Sequence, residues 1–389
     1  MRRELLISAG PGEWRAALVE DGVPVELRAE RGDGAEFASI HLGRVVRLLP
    51  ALGAALVDIG ADRLAFLPQS EIFPRHRRLD EGERLLVQVS RETQGGKAAR
   101  LTTRVTLPGP IGDRAARLEP PARLHPAATF AAALAGVLPA VERILVDGPA
   151  AVPEIRAAFL DVPVATSPET EWPCDLDALF DEALAPTLAL SGGGSVHVVS
   201  APAAILIDVD SGTPETGTPE RTALGVNLAA AEAIARQIRL RNLAGGIVID
   251  FIGLDDRRAR ERVQTELAQA LAPDPMQPQL LGWTRLGHFE LVRRRRTRSL
   301  ADALLEPAAG SAFVKTGATI AYEILRALGR EAQMQPGRAW RLTVAVEIAA
   351  VLAGEAAYAV RLLEQRFGRT IAVLVDPDLA RARFQIAPL

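Results

Sequence analysis

The sequence predicts a mixed α/β protein of several domains, and three observations lead to this fold class. The chain has 389 residues, which at ~150 residues per domain corresponds to about two to three domains. Residues 35–106 form a dense succession of short strand patterns, whereas residues 196–300 alternate between apolar strands and amphipathic helices. Hydrophobic residues make up 48% of the chain, which is enough to build sizeable cores.

Composition excludes several classes of protein. The net charge of −3 excludes a bulk polycation, and the single cysteine, Cys174, excludes an intramolecular disulfide and a multi-cysteine zinc cluster. Because a lone cysteine fits a reducing compartment, we expect a cytoplasmic protein. No apolar stretch approaches the ~18 residues of a membrane span, and residues 1–14 lack the apolar segment of a secretory signal.

The first third of the chain is predicted to be β-rich. A hairpin-type opening over residues 1–34 precedes five short strands separated mostly by Gly or Asp, which suggests a small closed barrel. Such barrels bind nucleic acid through a few aromatic and basic side chains. Phe66 is a candidate for stacking on a base, and the alternative is that it belongs to the barrel core. Lys97, one of only two lysines, is a candidate phosphate contact, although chance explains the presence of this lysine equally well. The predicted strands are Ala38–Leu49, Ala54–Ile59, Arg63–Leu67, Arg84–Val89 and Arg100–Val105.

The remaining elements follow in order. Residues 107–135 break the β pattern, and Leu176–Leu188 is predicted to be an amphipathic helix. Helix Asn227–Arg241, which Asn227 can cap, lies between two apolar strands that each carry an acid, and residues 301–313 link this region to a small α/β unit at 314–389. The other predicted elements of the central region are strands Ala203–Val209, Ile247–Ile252 and Leu286–Arg293 and helix Asp256–Leu271.

Two aspartates stand at the ends of the apolar strands. Asp208 follows Ile205-Leu206-Ile207, and Asp250 follows Ile247-Val248-Ile249. A carboxylate among apolar residues needs a partner or a metal, and two such groups on neighbouring strands could hold one Mg²⁺ for phosphodiester hydrolysis. Asp210 falls on the same strand face as Asp208 and could assist. The alternative is that these acids cap loops or pair with arginine.

Two arginine-rich segments are candidate phosphate contacts. One is the run from Arg293 to Arg298, and the other comprises Arg236, Arg239 and Arg241 on the predicted helix. Solvent-exposed faces of a strand or a helix would give the same two patterns. None of the five histidines has metal-ligand spacing, and the sequence has no nucleophile elbow, P-loop or dinucleotide fingerprint.

Five stretches together resemble the ribonuclease E/G family of bacterial endoribonucleases. The longest is the fourth, which runs from Asn227 to Ile252. The stretches are Gly43-Arg44-Val45 through Ala54–Gly60 to Phe66-Leu67-Pro68; Lys97 with Arg100-Leu101-Thr102-Thr103; Ile207–Gly212; Asn227-Leu228 with Ala235–Leu243 and Gly246–Ile252; and Val314-Lys315-Thr316.

The resemblance implies an architecture and a role for each matching position. An S1 (OB-type) barrel would be inserted in a ribonuclease H-like subdomain and followed by a DNase I-like catalytic subdomain. Asp208 and Asp250 would hold the catalytic Mg²⁺, with Mn²⁺ as an alternative, and Asp210 replaces the usual Asn. Phe66 and Lys97 would hold RNA. The implied divisions are 1–34 plus 136–190 (ribonuclease H-like), 35–106 (S1 barrel), 107–135 (connector), 191–300 (DNase I-like), 301–313 (linker) and 314–389 (small domain).

Several departures from the family pattern affect the prediction. Leu56 stands at the second aromatic position of the barrel, so one stacking platform is lost. The segment after Thr103 is shorter by something like a hundred residues, so the 5′-sensor subdomain is missing. Arg221-Thr222 imitates its signature in another context. No zinc-link cysteines are present, so we expect no zinc, and a homodimer would depend on side-chain packing.

These features predict a Mg²⁺-dependent endoribonuclease of RNA processing or decay. It would cut single-stranded, A/U-rich RNA to leave 5′-phosphate and 3′-hydroxyl ends, with no membrane partner. Two alternatives remain at this point: a non-catalytic RNA-binding protein on the same scaffold, and a Mg²⁺ phosphoesterase acting on another substrate.

Overall fold

The computed structural model is a mixed α/β protein with several sheets and a closed β-barrel, as the sequence predicts. No helix among its described residues is both long and apolar enough to cross a membrane. The structure describes residues 2–31, 39–61, 63–91, 98–105, 111–126, 129–201, 203–212, 219–254, 256–295, 297–308 and 313–389.

The chain opens with three antiparallel strands: β1 (Arg3–Gly10), β2 (Glu13–Glu20) and β3 (Val23–Arg31). Asp21 and Gly22 make the second turn with positive φ angles of 47° and 85°. Two-residue turns of this kind match the right-handed twist of the strands that they join. The opening therefore forms the paired hairpins expected from the sequence.

The next five strands close into a barrel. The sheet runs β5–β6–β8–β7–β4, and β5 pairs back onto β4. Gly43 makes this closure possible, because a Cβ at that position would lie 2.6 Å from Cγ1 of Val57. The barrel is consistent with an S1 or OB fold. Its strands are β4 (Ile40–Leu49), β5 (Ala54–Asp58), β6 (Ala65–Pro68), β7 (Arg84–Arg91) and β8 (Arg100–Thr102).

The connector adds an unexpected strand to the barrel. It contains α1 (Ile111–Ala116) and β9 (Ala122–His125). Strand β9 pairs antiparallel with the first residues of β4, on the edge opposite β7. Local pattern did not predict β9, because four residues rich in Arg and His carry no strand signal of their own.

After the barrel, the chain returns to the first sheet. Strand β10 pairs in parallel with β1 and strand β11 pairs in parallel with β10, which gives the order β11–β10–β1–β2–β3. Along the chain, the barrel is thus inserted between β3 and β10, which belong to the same sheet. The elements of this return are α2 (Phe130–Ala135), β10 (Arg143–Val146), α3 (Val152–Ala158), β11 (Val164–Thr166) and α4 (Leu176–Leu184).

A six-stranded sheet follows, ordered β12–β13–β14–β15–β17–β16. Helices α5 and α6 cover one face, where Ile234 and Leu267 pack against strand residues such as Ile207 and Ile249. The other face is open, and 46% of Leu206 is exposed there. Its elements are β12 (Thr187–Ala189), β13 (Ser195–Ser200), β14 (Ile205–Asp210), α5 (Pro219–Leu240), β15 (Gly245–Asp250), α6 (Arg257–Leu271), β16 (Gln279–Trp283) and β17 (Phe289–Arg293).

The chain ends in a small α/β unit with its own core. A short segment joins it to the six-stranded sheet, and the terminal sheet has the order β21–β20–β22. The elements are α7 (Leu300–Leu304), β18 (Leu305–Pro307), β19 (Phe313–Lys315), α8 (Gly317–Met334), β20 (Trp340–Val344), α9 (Val346–Ala353), α10 (Ala357–Phe367), β21 (Ile371–Val375) and β22 (Phe384–Pro388).

The predicted start of the central helix was wrong. Helix α5 begins at Pro219 rather than at Asn227, which lies fully buried in the helix interior. Its amide does not cap the helix. Instead, Nδ2 donates to the carbonyl of Ile252 at 2.8 Å, and Oδ1 accepts from the Ile252 amide at 3.0 Å. Asn227 therefore fixes the backbone of Ile252, two residues after the end of β15.

Candidate active site and RNA-binding face

Asp208 and Asp250 are brought together by strand pairing. Strands β14 and β15 are parallel neighbours, and their register pairs Asp208 directly with Asp250. Neighbouring strands lie about 4.8 Å apart, so two carboxylates project side by side from the same face of the sheet. That face is the open one, and both side chains are exposed. The neighbouring strands that the sequence argument required are thus present.

The surroundings of the two aspartates differ from those of Asp210. The Asp210 carboxylate accepts from the Gly212 amide at 2.8 Å, so it caps a turn as the alternative interpretation expects. Among the described residues, Asp208 and Asp250 accept no backbone hydrogen bond and pair with no arginine or lysine. The side chain of His288 lies nearby, with its Nε2 at 3.7 Å from Oδ2 of Asp250. Two adjacent negative charges therefore lack a cation from the described part of the protein.

The acid pair suits a hard cation that keeps most of its water. Within the described ranges, no group of three or more His, Cys, Asp or Glu side chains converges closely enough to enclose a metal ion. Mg²⁺ is commonly held by one or two carboxylates, with water and substrate phosphate completing its octahedral shell. The donor set of Asp208 and Asp250 fits that mode of binding, since it consists of carboxylate oxygens on an open surface.

A second constellation lies on the outer face of the barrel. Cross-strand register aligns Arg47 with Leu56, Leu56 with Phe66, and Phe66 with Arg100. Residues on either side of Phe66, such as Ala65 and Leu67, fill the barrel core, whereas Phe66 itself is only half-buried. We call this set the barrel row: Arg47, Leu56, Phe66 and Arg100.

The barrel row has the composition of a single-strand binding surface. Neither Arg47 nor Arg100 forms an ion pair with a carboxylate of the described residues, so both guanidiniums are available to phosphates. Phe66 offers a π-face between them, and base stacking of this kind is tolerant of sequence. Lys97, the other sequence candidate on the barrel, lies outside the described residues.

The arginines of helix α5 are engaged within the protein. Arg239 is 5% exposed and makes two hydrogen bonds to Glu20 of β2, at 2.9 and 3.2 Å. Although burial opposes ionisation, Arg239 and then Arg3 hold the pKa of Glu20 below its usual value. The structure thus corrects the expected phosphate contact at Arg239, because its charge is neutralised in the interface between α5 and the first sheet.

Arg241 and Arg236 make similar ties. Arg241 is buried, and its guanidinium donates to Oε1 of Gln237 at 2.6 Å and to the Ala185 carbonyl at 2.7 Å. Burial lowers the pKa of Arg241 to about 10. Arg236 is partly exposed but contacts Glu182 at 3.3 Å. Arg241 is therefore structural rather than a phosphate contact, and Arg236 is already paired.

Arg293 is the most deeply buried of the predicted contacts. Only 2% of it is exposed, and its Nε and Nη2 bind the two oxygens of Asp274 at 2.7 and 3.2 Å. Nη1 donates to Oδ1 of Asn242 at 2.9 Å. Such a bidentate, charge-assisted pair joins β17 to the segment that follows α6. Arg293 is thus structural, while the next residue, Arg294, is exposed.

Three residues of interest were missed by sequence reasoning. Arg47 and Arg100 carried a signal, because each lies in a predicted strand of the barrel, but only cross-strand register places them beside Leu56 and Phe66. His288 carried none, because its neighbour Asp250 belongs to a distant strand. Arg221 and Thr222, which imitate the 5′-sensor signature, belong to the first turn of α5.

Comparison with known proteins finds ribonucleases. The model of the Ribonuclease E/G family matches residues 126–296, which include both strands of the acid pair. Ribonuclease G of Escherichia coli strain K12 is 27% identical, with 99% of each chain covered. Ribonuclease E of the same organism is 28% identical over 97% of this chain and 45% of its own length. This chain is therefore similar to the ribonuclease E/G family over these residues and to ribonucleases G and E over nearly its whole length.

The alignment also shows that this chain is compact relative to ribonuclease G. It extends over 486 positions and includes 99% of a chain of 389 residues. Ribonuclease G of E. coli therefore has about a hundred residues with no counterpart here. A further relative, Ribonuclease G of Haemophilus influenzae, is 28% identical over 84% of this chain and 87% of its own length.

Proposed function

We propose that this protein is an endoribonuclease of RNA processing that cleaves single-stranded RNA by metal-assisted hydrolysis. One observation carries the proposal: Asp208 and Asp250 are paired in register on an open sheet face, without a cationic partner that neutralises them among the described residues. The family's curated members are ribonucleases by name. Cleavage would leave a 5′-phosphate and a 3′-hydroxyl, and A/U-rich RNA remains the preferred substrate in this proposal.

Asp208 and Asp250 would hold the metal ion, and their hard carboxylate donors suit Mg²⁺, with Mn²⁺ as an alternative. When bound, such an ion polarises a phosphoryl oxygen and lowers the pKa of its water. Asp210 contributes negative charge nearby, while its hydrogen bond to the Gly212 amide shapes the turn after β14. In this proposal Asp210 therefore supports the site rather than binding the metal directly.

The barrel row would hold the RNA. Phe66 would stack on one base, and the guanidiniums of Arg47 and Arg100 would contact phosphates on either side. Leu56, which lies between Arg47 and Phe66, adds apolar contact but no π-face. Lys97 remains a candidate for the same surface. This arrangement grips unpaired RNA without reading its sequence, as aromatic and basic grooves do in other single-strand binders.

The architecture supports subdomain assignments that follow the family pattern. The sheet β11–β10–β1–β2–β3 would be the ribonuclease H-like subdomain, and the six-stranded sheet with α5 and α6 would be the DNase I-like catalytic subdomain. The hundred missing residues would correspond to the 5′-sensor subdomain. With one cysteine in the chain, a homodimer would form without a zinc link, and we place the enzyme in the reducing cytoplasm.

A cleavage assay with matched variants tests this proposal. A labelled A/U-rich oligoribonucleotide is incubated with the full chain and Mg²⁺, and the products are tested for 5′-phosphates by their competence for ligation. We expect cleavage by the parent, loss of it with EDTA, and recovery when Mg²⁺ is restored. Asp208→Asn and Asp250→Asn should each bind RNA but fail to cut it.

The control is Asp378→Asn, which removes an exposed carboxylate from the C-terminal unit and should cut like the parent. If the parent binds RNA but does not cleave it under any of these conditions, the protein is a non-catalytic RNA-binding member of the family. If Asp250→Asn cleaves at the parental rate, the acid pair is not the catalytic centre.

A further inference from the structure

A histidine stands beside each aspartate of the acid pair. Register on β13 places His197 opposite Asp208. On the other side, β17 pairs Phe289 with Ile249, so His288 comes opposite Asp250 in the next position of the ladder. The open face therefore presents the cross-strand order His197, Asp208, Asp250 and His288.

The two histidines differ in what their rings contact. Both ring nitrogens of His197 are engaged by hydroxyl groups, with Nδ1 at 2.9 Å from Oγ1 of Thr187 and Nε2 at 3.2 Å from Oγ of Ser195. The ring is thus directed toward β12 and away from the acid pair. In contrast, Nε2 of His288 lies 3.7 Å from Oδ2 of Asp250.

The backbone around His288 is held in place on both sides. Its amide donates to Oγ1 of Thr284 at 3.2 Å, and its carbonyl accepts from the Thr284 amide at 2.8 Å. The next residue, Phe289, is fully buried. Because the hairpin fixes its backbone, His288 can close the remaining gap to Asp250 by a small side-chain rotation, which would bring 3.7 Å into hydrogen-bond range.

We infer that His288 is a positioning residue for the metal-binding carboxylate of Asp250, an inference that rests on the proposed function. After that rotation, its Nε2–H donates to Oδ2 of Asp250 and fixes the rotamer of that carboxylate. The other oxygen, Oδ1, is then left for the ion shared with Asp208. Ligating carboxylates generally depend on such outer hydrogen bonds, and their loss costs about 10- to 100-fold in metal affinity.

Metal binding without RNA tests this role separately from catalysis. Mn²⁺ serves as the probe, and its affinity for the full chain is measured by electron paramagnetic resonance and calorimetry. We expect His288→Ala to weaken Mn²⁺ binding about tenfold or more. His288→Gln offers an amide N–H at a similar reach and should recover most of that loss. His197→Ala is the matched control and should leave the affinity unchanged.

Each outcome tests either the role of His288 or the proposed function on which that role rests. Parental affinity in His288→Ala, with Asp250→Asn unable to bind Mn²⁺, overturns the role of His288 and leaves the metal site intact. Equal weakening in the Ala and Gln variants also overturns it, because the donated hydrogen bond would then not be the cause. A nitrogen hyperfine coupling to Mn²⁺ that disappears in His288→Ala would make His288 a direct ligand and refute the positioning role. If the parent does not bind Mn²⁺, the proposed function and this inference fail together.

Discussion

Asp208 and Asp250 are register partners in adjacent parallel strands, although helix α5 separates them in the chain. Parallel strands require a crossover connection, and a helix that packs on one face returns the chain to the same edge of the sheet. The carboxyl ends of β14 and β15 therefore coincide, and side chains at equivalent positions share one face. This topology converts two distant sequence motifs into one pair of carboxylates.

The compact form of the chain predicts indifference to the 5′ end of the RNA. About a hundred residues of ribonuclease G have no counterpart here, and in the proposed function they correspond to the 5′-sensor subdomain. Cleavage rates on the same oligonucleotide with a 5′-monophosphate or a 5′-triphosphate should agree within about twofold, a difference of less than ~0.5 kcal/mol in activation free energy. A strong preference for the monophosphate would show that another surface reads the 5′ end.

Leu56→Phe should tighten RNA binding. Position 56 lies opposite Phe66 on the outer face of the barrel, so a second ring would offer a neighbouring platform for a base. Stacking contributes about 1–3 kcal/mol per base, and we expect at least a fivefold lower Kd for a single-stranded oligonucleotide in fluorescence anisotropy. Val373→Phe, a change at an exposed position of β21, should leave the Kd unchanged. Equal effects of the two variants would contradict a specific role for the barrel row.

The Arg293→Gln variant should be less stable than the parent but should contact RNA in the same way. The substitution leaves the buried carboxylate of Asp274 without its bidentate partner, and breaking such a pair costs about 3–5 kcal/mol. Urea denaturation measures this loss. In the folded fraction, the dependence of RNA affinity on salt should match that of the parent. A salt slope reduced by about one, with parental stability, would instead make Arg293 a phosphate contact.

The carboxyl group of Asp147 should lower the stability of the protein as the pH rises through about 6. Burial raises the pKa of Asp147 to about 6, with help from Glu169 and against hydrogen bonds from the Ala9 amide and the Ser8 hydroxyl. An unfolded aspartate titrates near pH ~4. The folded state therefore holds the proton more tightly, and the stability from this group is present below about pH 4 and lost as the pH rises through about 6.

Asp147→Asn removes that titration. Relative to the parent, the variant should gain stability on the order of 2 kcal/mol between about pH 4 and pH 7, as measured by urea denaturation at each pH. The change Asp378→Asn, made on the surface, should show no such trend. A difference between Asp147→Asn and the parent that stays constant with pH would mean that Asp147 does not titrate in this range.

The sequence by itself determined the strands and the residues at their ends. The apolar runs before Asp208 and Asp250 required buried strands, and the short strands of 35–106 required a compact β unit. Both conclusions depend on local periodicity, which reports how a segment divides between core and surface. That is why the α/β class, the barrel and the family resemblance could be reached before any contact was known.

Only the tertiary structure decided how charged side chains are used. Arg239 and Arg293 look like solvent-exposed cations in the sequence, yet distant carboxylates, Glu20 and Asp274, neutralise them inside the protein. Arginine is rarely buried without a partner, and local pattern cannot reveal a partner from another element. Asn227 was misassigned for the same reason, since its partner is the backbone of Ile252. The register that places His288 beside Asp250 likewise depends on long-range strand pairing, which no local periodicity encodes.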